Sequence, residues 1–113
     1  MKNRSYRKSL TKLRISAHDL EIERGRYKGK PIMDRICNQC STNEIEDEIH
    51  FLTKCGKYSK YREIMYEKIN EVCKNFQDLN DTYKFIWLLS NENPKICNLV
   101  AEFTHDCFNM REM

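Results

Sequence analysis

Residues 37–55 read CNQCSTNEIEDEIHFLTKC, which places Cys37, Cys40, His50 and Cys55 at the spacing Cys-x2-Cys-x9-His-x4-Cys. A tight Cys37-Asn38-Gln39-Cys40 turn can aim two sulfurs at one point. His50 is expected inside a helix, with Cys55 just past its end, so one further element supplies the other two donors. Three thiolates and one imidazole form a closed tetrahedral set without a water, the usual structural zinc site. A lone Cys-x2-Cys is shared with redox motifs. The added His and third Cys in a compact window make this a ligand set for one structural Zn2+.

The chain has 113 residues and six cysteines. The alternative reading of the four residues is three buried cysteines and a surface histidine. A secreted domain could pair its cysteines as disulfides. The first fourteen residues carry Lys2, Arg4, Arg7, Lys8, Lys12 and Arg14 with no apolar core following, unlike a secretory leader. No run of 18 apolar residues suggests a membrane span. An intracellular location, nucleus or cytoplasm, is therefore expected, where clustered thiols stay reduced and bind metal. Cys73, Cys97 and Cys107 lie among apolar residues at helical spacing and read as small packing residues.

One third of the residues are charged and the mean hydropathy is −0.79, so the apolar core is modest and a metal would add needed stability. The length suits one domain over 1–113: a basic helix and loop (1–35), a zinc-binding segment (36–57) and a helical C-terminal part (58–113). Charge is uneven. Residues 1–35 hold eleven Lys/Arg against four acids, a surplus of seven, and residues 36–113 hold nine against thirteen, a deficit of four. A basic front half with Tyr6 and Tyr27 interleaved fits a phosphate-facing surface with an aromatic for stacking on an unpaired base. A solvated helix face fits the same charges.

The apolar pattern is helical throughout. Leu10, Leu13, Ala17 and Leu20 form one stripe of a first helix over about 5–23, ending before Gly25. Residues 24–36 read as the loop into the zinc turn. Asn43 is expected to cap a short acidic helix carrying Ile45, Ile49 and Leu52 inward. Glu46 and Glu48 would favour its start, or hold the second ring nitrogen of His50. Tyr58, Tyr61, Met65, Ile69, Val72 and Phe76 trace a long third helix. Asp81 is placed as the cap of a fourth, and Asn93-Pro94 starts a fifth whose buried side includes Ile96, Leu99, Val100, Phe103, Cys107 and Met110. The fold class is thus all-α: a small domain of about five helices organised around a Cys3His zinc site, with room for a short hairpin at the Cys-x2-Cys turn.

Leu20-Glu21-Ile22-Glu23-Arg24-Gly25-Arg26-Tyr27, the Arg35-to-Cys40 string, Ile45-Glu46-Asp47-Glu48-Ile49-His50-Phe51-Leu52, Cys55, Tyr58, Tyr61, Arg62 and the stretch 85–93 together resemble the C-terminal zinc-knuckle-like region of non-LTR (LINE-type) retrotransposon reverse transcriptases. The resemblance runs from about residue 5 to residue 112. It implies an accessory module that helps a polymerase body hold template RNA or target DNA. It does not imply catalysis, because no Tyr/Phe-x-Asp-Asp string occurs, and the retroviral knuckle differs in its shorter, glycine-bearing Cys–His gap. Independent catalysis finds little support: His105 and Cys107 are two apart and would face different sides of a helix. The expected nucleic-acid contacts are Arg7, Lys8, Lys12 and Arg14 on the first helix and Arg24, Arg26, Lys28 and Lys30 in the loop. Gly25 would allow close backbone approach between the two arginines. The competing reading is a zinc-stabilised helical module that docks on protein.

Overall fold

A computed structural model describes residues 4–14, 18 and 20–110, with side chains from residue 7 onward. Ala17, Tyr6 and residues 111–113 of the expected pattern fall outside the described positions or side chains. Six α-helices are present among the described residues: α1 (Arg4–Arg14), α2 (Glu21–Tyr27), α3 (Glu48–Thr53), α4 (Ser59–Val72), α5 (Asp81–Ser90) and α6 (Pro94–Met110). The all-α class holds. Instead of a hairpin with strands, Ile36 and Ile45 make one isolated antiparallel bridge.

The expected first helix over 5–23 is divided. Leu20 is extended (φ −64°, ψ 150°) and starts a new helix, α2, which runs through Gly25 to Tyr27. Two contacts from the 44–48 segment explain the restart. The Glu21 N–H donates to Glu46 Oε1 (2.8 Å), and the Ile22 N–H donates to the Glu46 carbonyl (3.0 Å). They occupy amide donors that a helix start leaves free.

Gly25 has a local task rather than one toward a ligand. A Cβ there would lie 2.4 Å from Arg35 Cγ and 2.8 Å from its Cδ. The Arg35 side chain crosses α2 at this point to donate to the carbonyls of Lys30 (3.0 Å) and Ile22 (2.9 Å).

Other boundaries shift for equally local reasons. The cap of α3 is Asp47, whose Oδ1 accepts the His50 N–H at 2.8 Å, and not Asn43, which sits at φ 59° in the turn before the bridge. The helix through Tyr58 to Phe76 is shorter than expected: α4 stops at Val72, Cys73 is extended, and Phe76 lies in a separate 3-10 turn. There Phe76 is fully buried, edge-on to Tyr66 (5.0 Å) and against Trp87 (4.9 Å). Val72, expected inward, is exposed, as is Met110. Asn80, not Asp81, caps α5 by accepting the Tyr83 N–H (2.9 Å). Pro94 opens α6 as its first residue, where its missing N–H costs nothing.

The core joins Leu10 and Leu13 of α1, Leu20, Phe51 and Leu52 of α3, Met65 and Ile69 of α4, Leu88 of α5, and Ile96, Val100 and Phe103 of α6. Phe51 is its hub, with Tyr58, Phe103 and Phe108 rings 5.0–5.5 Å away. Cys107 is fully buried and Cys97 nearly so, while Cys73 is half-buried. All three are free thiols. Among the described residues no helix is long and apolar enough to cross a membrane.

Gly25→Ala tests the crossing of Arg35. In an open helix this change stabilises by about 1 kcal/mol. Here it should destabilise, by about 1–3 kcal/mol, because Arg35 must leave both carbonyls. Urea melts of the two proteins check the sign.

Candidate metal centre

The four sequence-expected ligands come together. One donor atom each from Cys37, Cys40, His50 and Cys55 lies within 4.8 Å of the other three, and the set could hold one metal ion. Cys37 follows the Ile36–Ile45 bridge and is fastened by its N–H to the Glu44 carbonyl (2.9 Å). Cys40 closes the turn. His50 is in the first turn of α3, and Cys55 follows that helix, its N–H returning to the His50 carbonyl at 2.8 Å. The Cys37 and Cys55 sulfurs are 3.8 Å apart, and Cys40 Sγ is 3.4 Å from His50 Nε2. The Gln39 N–H donates to Cys37 Sγ (3.4 Å), as amides in such turns do to thiolates.

The thiols are electrostatically unequal. Burial pushes Cys37 up, the Gln39 amide opposes this, and the Glu46 carboxylate adds to the rise. Burial likewise raises Cys55. At Cys40 burial is outweighed by hydrogen bonds from Thr42, His50 and Cys37, and its pKa falls to about 6. Cys40 is also the least enclosed of the four. An incoming ion would thus meet a thiolate at the rim and displace protons from the two buried thiols.

The acids near His50 do not behave as expected. His50 Nδ1 is buried and has no hydrogen-bond partner among the described residues, so neither Glu46 nor Glu48 steadies that nitrogen. Glu46 is fully buried and accepts the Cys37 S–H at Oε2 (3.3 Å) and the Glu21 N–H at Oε1 (2.8 Å), tying the first ligand to the start of α2. Glu48 Oε2 lies 2.6 Å from His18 Nε2. His18 Nδ1 accepts the Leu20 N–H (3.3 Å), so the proton of a neutral His18 is on Nε2, facing Glu48.

Arg62 is the functional residue that sequence reasoning passed over except as part of a resemblance. Its side chain is buried and makes no ion pair among the described residues. It donates to the carbonyls of Phe51 (2.8 Å), Leu52 (2.9 Å) and Cys55 (2.9 Å). These are the free carbonyls at the end of α3 and that of the fourth ligand. A cation suits a helix C-terminus, and a planar guanidinium can serve three acceptors at once. Burial pulls its pKa below the ordinary arginine value, opposed by nearby Tyr66. The only hint in sequence was an arginine at a position facing the core stripe of α4.

The eight expected nucleic-acid contacts separate into two kinds. Arg7, Lys8, Lys12, Lys28 and Lys30 are exposed and make no ion pair among the described residues. Arg14 is exposed but engaged: it donates to the carbonyls of Leu89 (3.0 Å), in the last turn of α5, and Asn91 (3.4 Å), just past its end. Arg24 pairs with Glu21 (3.3 Å) and Arg26 with Glu23 (3.0 Å), each three residues back on α2. The two arginines expected to matter most therefore already have carboxylate partners. His105 contacts Ser9 Oγ (3.3 Å) and Asn109 (3.1 Å), and Cys107 is sealed in the core. Compared with known proteins, the chain matches no family model, no curated protein and no solved structure.

Two outcomes are expected. Protein refolded with metal should hold one equivalent by elemental analysis. Cys55→Ser should lose it while Cys97→Ala retains it, and a chelator should lower helicity and melting temperature. Arg62→Met should cost about 1–3 kcal/mol, since the buried Phe51 carbonyl loses its donor while those of Leu52 and Cys55 keep the Tyr66 hydroxyl and the Tyr58 N–H, and should speed metal release to a chromogenic chelator. Arg62→Lys should recover only part of either effect.

Proposed function

We propose that the chain is a zinc-stabilised accessory module that binds RNA or DNA without sequence specificity. Zinc is favoured by the donor set and its dimensions. A tetrahedral zinc with bonds of about 2.3 Å to sulfur and about 2.0 Å to nitrogen needs edges of about 3.8 Å between sulfurs and about 3.5 Å from sulfur to nitrogen. Two edges of the cluster, 3.8 Å and 3.4 Å, fit, and the full spread of 4.8 Å leaves the donors about 1 Å to close on binding. Four protein ligands leave no open position, which suits structure rather than catalysis.

Nucleic-acid binding rests on one observation: Arg7, Lys8, Lys12, Lys28 and Lys30 are exposed cations without acid partners among the described residues, in a segment carrying a surplus of seven. The opposite balance after residue 35 makes that surplus a local feature rather than a property of the whole chain. A few phosphate contacts give weak affinity, on the order of micromolar or looser at physiological salt. A larger partner would supply the rest. The tail of a non-LTR retrotransposon polymerase is such a setting, and the sequence resemblance is what supports it.

A second reading has its own observation. Tyr61, Ile64 and Val72 on α4 and Tyr83 and Ile86 on α5 are exposed, which favours docking onto a protein body. Salt separates the two. For nucleic acid, log affinity should fall linearly with log salt, and Lys8→Gln/Lys12→Gln should flatten the slope for a single strand by about 1.4 units. Anisotropy titrations across a salt series measure this. Absence of binding at low salt would leave the docking reading.

A further inference from the structure

Beyond the free cations, three strongly exposed large apolar side chains are gathered on one short stretch of the described residues. Tyr27 ends α2 and is 78% exposed, and Ile32 and Met33 in the following 3-10 turn are 57% and 78% exposed. A soluble domain has no packing reason to present three such residues within seven positions. The stretch is also built, not merely extended. Gly29 takes φ +70° to reverse the chain, the Lys30 N–H returns to the Gly25 carbonyl (2.8 Å), and Arg35 grips the Lys30 and Ile22 carbonyls from the other side. The close passage of Arg35 over Gly25 is what allows that grip. The result is a preorganised tip in which Lys28 and Lys30 are exposed and unpaired among the described residues.

One more contact defines its chemistry. The Arg26 guanidinium, held by Glu23, lies 5.5 Å from the centre of the Tyr27 ring. A cation over a ring fixes its orientation, and the ring remains 78% exposed.

The geometry points to a stacking site for single-stranded nucleic acid at residues 26–33: an unpaired base lies on the Tyr27 ring, Met33 and Ile32 flank it, and Lys28 and Lys30 meet the adjoining phosphates. This rests on the nucleic-acid reading above and names the form of the partner. A duplex keeps its base faces inside the stack, so it can use the two lysines but not the ring. A single strand uses both, and stacking tolerates any base because each has a π face.

The test uses the full zinc-loaded chain with fluorescein-labelled oligouridylate, oligothymidylate and a duplex of the same length. Tyr27→Ala should weaken both single strands by about 5- to 100-fold, the range for loss of one stacked base, and change duplex binding by less than about twofold. Tyr27→Phe should bind like the parent. Lys28→Gln/Lys30→Gln should weaken all three probes and flatten the single-strand salt slope by about 1.4 units. Circular dichroism should be unchanged throughout, since these side chains lie outside the core. If the parent binds and Lys8→Gln/Lys12→Gln weakens it but Tyr27→Ala does not, the stacking site is overturned and the nucleic-acid reading stands. If the parent binds none of the probes, both fall. Tyr27-dependent sedimentation with phosphatidylserine vesicles, without single-strand binding, overturns the site in favour of a lipid surface.

Discussion

A single buried guanidinium organises the centre of this protein. Arg62 projects from α4 into the end of α3 and takes up the carbonyls of Phe51, Leu52 and Cys55. The Phe51 and Leu52 carbonyls have no partner within so short a helix, and the Cys55 carbonyl beyond it also accepts the Tyr58 N–H (3.3 Å); a helix-end carbonyl left dry would cost about 1–3 kcal/mol. The same hydrogen bonds orient the backbone of Cys55, place Phe51 under the aromatic rings of α6, and bring Arg62 itself 5.9 Å from the centre of the Phe103 ring. The fourth metal ligand and the aromatic core are thus registered against each other through one side chain. Tyr66, one turn further along α4, adds a donor to the Leu52 carbonyl (3.1 Å), and its burial pushes its own pKa up to about 12.

On the other side of the cluster a buried carboxylate plays the matching part. Glu46 costs much to desolvate and is kept by hydrogen bonds to the Glu21 amide and the Cys37 thiol. It fastens α2, and with it the tip at residues 26–33, to the first ligand. His18 and Glu48 make a second tie between the basic front segment and the start of α3. A metal ion at the cluster would therefore stabilise more than its own loop. It would also steady the surface on which the exposed cations and Tyr27 are displayed.

Charge content alone overstated that surface. Of eight candidate contacts, Arg14 is spent on α5, and Arg24 and Arg26 are answered by acids one helical turn away. Both arginines are partly exposed while Glu21 and Glu23 are buried, and such carboxylates compete with an incoming phosphate. The lysines of the tip and of α1 carry no such competitor among the described residues. The distinction depends on which residues face each other, not on how many there are.

That Cys37, Cys40, His50 and Cys55 come together was legible in the sequence because donor chemistry and spacing constrain one another: a Cys-x2-Cys followed by His and Cys within nineteen residues is the spacing of a set that could hold one metal ion. The helical class was legible too, since the apolar stripes of α1, α4 and α6 repeat every three or four residues. Pro94 marked its helix start through a missing N–H, a purely local property. What the tertiary structure decided is each feature that depends on a distant partner. The break at Leu20 comes from Glu46, 26 residues away, and the engagement of Arg14 comes from the carbonyls at the end of α5. The role of Gly25 is written in the path of Arg35, and the role of Arg62 in the carbonyls of α3. Local periodicity and donor type act within a turn or two of chain. A buried hydrogen bond is set by whichever groups the packing brings within 3 Å, and no local pattern carries that.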